Sequence, residues 1–264
     1  MRWIIFLFSL PNIVWAFQSS LSASYSDSES SDSTIHAASY KYYTNDISYG
    51  GAPFTELAFL TSTSTLEIIH GTVDYNFSNT SLIIAEGSFT GVRANLYPGD
   101  LYFSVSSSKI DVDTDTLFDL DSSVIDLSIG FRILETNMLY GMYSLQSIDS
   151  VTGSTDVIET GIGLKSVISN IVFDLQSTSI TEDQVPDIQV TEITLANYLD
   201  NDFFISLNYE DRDSQSLTDQ REEKGFSIGA AVQKSNTFNL SYIEVTNALN
   251  QKSNDIRFTM SFGF

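Results

Sequence analysis

The chain has no cysteine, four prolines and two histidines among 264 residues. Without thiols it can build neither a disulfide framework nor a thiolate zinc site. Basic residues are scarce, 12 Lys and Arg against 34 Asp and Glu, for a net charge of −22. A nucleic-acid binder gains affinity by neutralising phosphates, so this charge excludes nucleic acid as a partner. After Phe17 no apolar run approaches the roughly 20 residues that a membrane helix needs. What the chain does have is 42% hydrophobic residues, including 18 Phe and 13 Tyr, far more than a disordered chain carries. The length allows one large domain or two small ones.

The first sixteen residues stand apart. Met1 and Arg2 precede the apolar run Trp3 to Leu10, then Pro11, and Val14-Trp15-Ala16 puts small residues at the two positions a signal peptidase reads. Residues 1–16 therefore read as an export signal and 17–264 as the folded domain. A membrane anchor is the competing reading, but Pro11 and Asn12 interrupt a run already too short for one. Loss of the signal removes one Arg and no acid, so the net charge of −22 becomes −23 in the mature chain.

Beyond the signal nearly every segment alternates apolar with polar or small residues at period two, the mark of strands. In 122–133, Ile125, Leu127, Ile129, Phe131 and Ile133 interleave with Val124, Asp126, Ser128, Gly130 and Arg132. The C-terminus repeats this with Ile256, Phe258, Met260, Phe262 and Phe264. About fourteen such strands are predicted, twelve being the lower count, near 20–30, 34–45, 63–77, 81–96, 101–110, 122–133, 138–148, 155–168, 171–180, 187–197, 202–211, 223–233, 237–247 and 254–264. Tight turns, such as Tyr97-Pro98-Gly99-Asp100 and Ser169-Asn170, take turns with longer acidic or Ser-rich loops at 26–33, 111–121, 149–154, 181–186, 212–222 and 248–253. Short connections at one end and long ones at the other predict an all-β, antiparallel transmembrane β-barrel. A soluble β-sandwich would dress its wet faces with charge, whereas charged residues here are only 17% and gather in loops. In hydrocarbon only a closed sheet leaves no backbone group unpaired. The terminal Phe264 resembles the signal that barrel-insertion machinery reads in outer-membrane proteins of Gram-negative bacteria.

Between the second and third strands, Tyr42-Tyr43-Thr44 leads through Tyr49-Gly50-Gly51 into Ala52-Pro53-Phe54-Thr55-Glu56-Leu57-Ala58-Phe59-Leu60. This resembles the tyrosine pair and Pro-x-x-Glu-x-Ala-Phe-Leu block of the general bacterial porin family of gammaproteobacteria. Leu96-Tyr97-Pro98-Gly99-Asp100-Leu101-Tyr102-Phe103 is similar to that family's aromatic, Pro-containing hairpin turn. The chain departs from the pattern at Thr55 and at residues 61–63. The resemblance implies an outer-membrane porin that passes small solutes without a cofactor, set in outer-membrane lipid and lipopolysaccharide, alone or as a homo-oligomer. Glu56 to Leu60 reads as one helical turn on the periplasmic side, shaping that end or narrowing the lumen.

The sequence offers little chemistry. His70 and Asp74, four apart and on one strand face, could form a hydrolase pair, but no Ser or Asn arrangement of such an enzyme surrounds them. A polar lumen-lining His70 is the plainer reading, and the chain reads as a non-enzyme. Asp111, Asp113, Asp115 and Asp119 fit positions one, three, five and nine of a calcium loop. Thr116 in place of the required Gly and Ser122 in place of the bidentate Glu break that pattern, leaving an acidic loop that attracts divalent cations loosely or is merely solvated. The ionisable pore-lining candidates are the acids Asp74, Asp126, Glu159 and Glu192 and the bases Arg93, Arg132, Lys165 and Arg257. Small residues on the inward rows, Gly130, Gly161, Gly163, Gly225 and Gly229, predict an open lumen. Fourteen strands lie between filled eight-stranded barrels and wide sixteen-stranded ones, so the expectation is a narrow, cation-preferring diffusion pore. A non-conducting structural or adhesive barrel is the alternative.

Overall fold

Period-two alternation gives each strand one apolar row and one polar row, and short turns bring consecutive strands into antiparallel register. The computed structural model describes residues 16–29, 33–48, 57–76, 84–114, 120–150, 153–182, 187–199, 203–214, 221–232, 236–247 and 249–263. Residues 1–15 of the segment 1–16 read as an export signal, and the terminal Phe264, lie outside the described residues, while Ala16 begins the first strand. Fourteen strands follow one another: β1 (Ala16–Ser28), β2 (Ser33–Ser48), β3 (Thr65–Asn76), β4 (Ile84–Leu96), β5 (Leu101–Thr114), β6 (Leu120–Leu134), β7 (Asn137–Ser150), β8 (Gly153–Ile168), β9 (Ile171–Glu182), β10 (Ile188–Leu199), β11 (Phe203–Ser214), β12 (Arg221–Val232), β13 (Asn236–Asn247) and β14 (Lys252–Gly263). One helical turn, α1 (Leu57–Leu60), lies between β2 and β3.

Each strand pairs antiparallel with the next, and β14 returns to β1 from Ser20↔Gly263 to Ser28↔Asp255, closing the barrel. Direct partners drift steadily along the wall. They run from Leu199 at the turn end of β10, through Ala23 of β1 and His70 of β3, to Asp156 near the loop end of β8. The strands are therefore inclined to the barrel axis, as closure requires. The predicted strands stand within a few residues of these bounds. The largest difference is at 111–121, where β5 and β6 continue the ladder through Asp111↔Asp121 and Val112↔Leu120. Pairing persists there because β5 and β6 still supply mutual backbone partners after their side chains have turned polar.

The outward rows form an apolar belt. On β6 they are Ile125, Leu127, Ile129, Phe131 and Ile133, with Ile129 59% exposed. On β11 they are Phe203, Ile205 and Leu207, and on β14 Ile256, Phe258, Met260 and Phe262. Bare apolar side chains around a closed ring have no aqueous explanation, and they match the roughly 25 Å apolar band of transmembrane barrels. Toward the loop end the same rows turn polar, Ser107, Lys109 and Asp111 on β5 and Lys224 and Glu222 on β12. The packed core lies inside, at the turn end, where Phe59, Met138, Val167, Val172, Ala196, Tyr198 and Phe204 form one buried cluster.

Candidate channel lumen

The inward rows build a polar wall. All five inward positions of β1 from Ser20 to Ser28 are serine. Hydroxyls bond to one another and to acids across neighbouring strands: Ser22 to Ser261 at 2.7 Å, Ser206 to Ser227 at 2.8 Å, and Ser28 donating to Asp255 at 2.9 Å. The pairing register places Asp126, Glu159, Glu192, Arg93, Arg132, Lys165 and Arg257 on inward rows.

Asp74 is a correction. It pairs with Thr34 and continues the outward row of Leu66, Ile68, His70 and Thr72, so it faces away from the lumen. On β3 the usual polarity reverses toward the loop end: Ile69 and Val73 point in while His70 and Asp74 point out. Taking apolar as outward therefore assigned the wrong face. His70 is likewise not lumen-lining; its Nδ1 lies 3.0 Å from Thr90 Oγ1 on the outer surface. No lumen pair of His70 and Asp74 exists on which a hydrolase reading could stand. His36 is also outward, its ring 5.2 Å from that of Tyr25.

Asp111 belongs to β5 rather than to a loop and pairs with Lys109 on the outer face. Asp113 is also in β5, and Asp115 and Asp119 lie outside the described residues. Among the described residues no three His, Cys, Asp or Glu side chains gather to hold a metal.

Several inward charges are neutralised locally. Glu67 meets Lys41 at 3.2 Å, accepts from Ser39 at 2.8 Å and faces Arg93 in register. Glu210 lies 3.4 Å from Arg221 and 3.8 Å from Arg212, and Glu223 lies 3.0 Å from Arg221. Asp126 accepts from Ser144 at 2.7 Å and from Ser106. Glu159 on β8, Glu192 on β10, Arg93 on β4 and Arg257 on β14 have no ion-pair partner among the described residues, and neither do Asp126 and Arg132, which are held by hydrogen bonds to neutral groups. Glu192 and Arg257 stand four strands apart on the wall of β10 to β14, and Glu159 and Arg93 four strands apart on β8 and β4. A cavity of about 420 Å³ is hollowed into the wall of β10 to β14, reached by Glu192, Glu210, Glu223 and Arg257.

The turn end is filled. The helical turn α1 seats Phe59, 5% exposed, against Met138, Val167, Val172, Ala196 and Phe204 on the wall of β7 to β11. The helical turn expected at Glu56 to Leu60 is thus present as α1, while Glu56 itself lies outside the described residues. The turn stops at Ser62, whose φ of 52° is left-handed, and Thr63 N–H donates to Ala58 O at 2.9 Å. Arg132 and Lys165 approach the Phe59 ring, 5.3 and 5.6 Å from its centre. The Arg132 guanidinium also donates to Ser62 Oγ and Glu135 O, which leaves it 7% exposed. Two of the four predicted pore bases therefore hold this segment in place.

Gly163 and Gly229 do not open the lumen as expected. A Cβ on Gly163 would lie 2.3 Å from the Tyr140 ring and one on Gly229 2.1 Å from the Phe204 ring. Each is the direct cross-strand partner of that aromatic, and Gly71 stands in the same relation to Phe89. Glycine here lets an inward ring lie flat on the wall.

No family model and no curated protein sequence matches the chain. Solved structures share its fold. The outer membrane protein Omp33 of Acinetobacter baumannii matches with a TM-score of 0.62 at 13% identity, over 95% of this chain and 99% of its own. The monoaromatic hydrocarbon channel TodX, as a deletion mutant, matches at 0.53 and 10% identity, over 94% and 90%. The KdgM porin in complex with oligogalacturonate matches at 0.52 and 7% identity, over 93% and 99%. These neighbours are bacterial outer-membrane porins and channels, at identities that speak for the fold alone.

Proposed function

We propose that the protein is an outer-membrane channel for passive diffusion of small solutes, with a narrow, cation-preferring pore. The carrying observation is a closed fourteen-stranded barrel, apolar outside, whose inner wall is polar and ionisable. A barrel that only anchors or adheres has no need of unpaired Glu159, Glu192, Arg93 and Arg257 on its inner wall. Spread around the wall with acids and bases on different strands, these groups set up a field that sorts solutes by charge and dipole. Narrowness is supported by Phe59 and the inward rings at the turn end. The net charge of −22 supports cation preference, since a negative vestibule concentrates positive ions.

In this reading residues 1–16 direct export and Phe264 addresses the insertion machinery. The apolar belt then sits in outer-membrane lipid with lipopolysaccharide at the loop end. The protein is not an enzyme and uses no cofactor. Planar-bilayer recording of the refolded chain tests this: discrete conductance is expected, with a reversal potential in a KCl gradient displaced toward that of potassium. An anion-selective channel sinks the electrostatic argument. Absence of conductance promotes the structural or adhesive barrel, a reading that the packed turn end favours.

A further inference from the structure

We infer that the inner wall of β10 to β14 carries a binding site for a short zwitterionic peptide, held between Glu192 and Arg257. This names a solute for the lumen, and it rests on the channel reading for the route by which the peptide arrives.

The cavity of about 420 Å³ is reached by three carboxylates and one guanidinium. Glu210 and Glu223 are already satisfied by Arg221 and Arg212. Glu192 and Arg257 are left, one of each sign, without an ion pair among the described residues. Glu192 is half-buried and gains most from a counter-charge, while Arg257 is open to the lumen and free to meet an anion, so the fitting solute carries both signs at opposite ends. A simple cation leaves Arg257 unmatched, and a simple anion leaves Glu192 so.

Length selects among zwitterions. Strands β11, β12 and β13 separate β10 from β14 by roughly 19 Å at about 4.8 Å per strand, and Arg257 lies four residues along β14 from Ser253, the position level with Glu192, so the two backbones are roughly 23 Å apart. Both side chains reach inward from a curved wall and shorten that span. The remainder suits two or three extended residues at ~3.3–3.6 Å each, and exceeds a single amino acid.

The wall between the two charges matches a peptide backbone. Asn208 Oδ1 accepts from Thr194 at 3.1 Å, leaving the Asn208 amide N–H groups to donate. Ser206 and Ser227 share one hydrogen bond of 2.8 Å, so oxygen lone pairs remain to accept. Gly225 contributes no side chain between Glu223 and Ser227, which leaves room for a ligand main chain against the wall.

The test is calorimetric titration of the detergent-refolded barrel with dialanine and trialanine, beside N-acetyl-dialanine, which is only an anion, and dialanine amide, which is only a cation. The free peptides should bind, and each blocked form should bind about tenfold more weakly, as for the loss of one charged hydrogen-bonded contact. Glu192→Gln and Arg257→Gln should each weaken trialanine by a similar factor. The exchange Glu192→Arg with Arg257→Glu should restore binding, because the peptide can turn around. Equal binding of free and blocked peptides, or none at all, overturns the site. If variants fail to fold, judged by heat-modifiable gel migration, the blocked peptides on the unaltered barrel still decide. KCl conductance on the same preparation separates the two readings: binding without conductance overturns the channel and keeps the site, and conductance without binding does the reverse.

Discussion

At the scale of single residues, each side chain's consequences depend on which face of the wall it occupies. Ile129 stands in the middle of the outward row of β6, while Ser128 beside it points into the lumen. Ile129→Arg should therefore cost about 2–4 kcal/mol in lipid refolding titrations, the penalty for a charge at the bilayer midplane, and Ser128→Arg much less. Equal losses would show the faces to be misassigned. Glycines divide in the same way. Gly229→Ala drives a methyl into Phe204, buried in the cluster, and into Phe238 O at 2.9 Å, so about 1–3 kcal/mol of overpacking is expected. Gly141→Ala meets only Gly161 O at 3.8 Å and should be close to neutral in the same titration. Faces were legible from period two wherever lipid and lumen impose opposite polarities. They were not legible on β3, because inward Val73 and outward Asp74 invert the pattern that lipid contact imposes lower down.

At the scale of elements, the strands were readable because each is a local, repetitive pattern closed by its own turn, as in β9 after Ser169-Asn170. α1 was readable as a helical turn and nothing more. Its place across the lumen depends on partners far along the chain, Met138, Val172 and Phe204, which no local pattern connects to Phe59. The same distance hid the roles of Arg132 and Lys165, which look like pore charges until their contacts with the Phe59 ring are seen. If this segment narrows the pore, Phe59→Ala should raise single-channel conductance while the barrel still migrates as folded on a gel. Unchanged conductance would place the constriction elsewhere. Arg132→Gln should also loosen the segment, since it removes the guanidinium bonds to Ser62 and Glu135, and should make the open current noisier.

At the scale of the whole molecule, the question is where a chain with 34 acids and 12 bases keeps its excess negative charge. The inner wall balances much of its own: Glu67 with Lys41, Glu210 and Glu223 with Arg221, and the acids Glu159 and Glu192 matched in number by the bases Arg93 and Arg257. Much of the uncompensated acid therefore belongs to the loop side, as in the sequence runs at 111–121 and 181–187. Charge at a wide, wet mouth is screened far more than charge inside a narrow lumen, because the Debye length falls from about 10 Å at 0.1 M salt to about 3 Å at 1 M. Cation preference should accordingly be clear in dilute KCl gradients and fade as both chambers approach 1 M. Replacing Glu159 and Glu192 together with Gln should shift the reversal potential at high salt toward anions, where mouth charge no longer masks the free Arg93 and Arg257. A preference that persists undiminished at 1 M in the unaltered protein would locate its source inside the lumen, and the balance described for the inner wall would then be wrong.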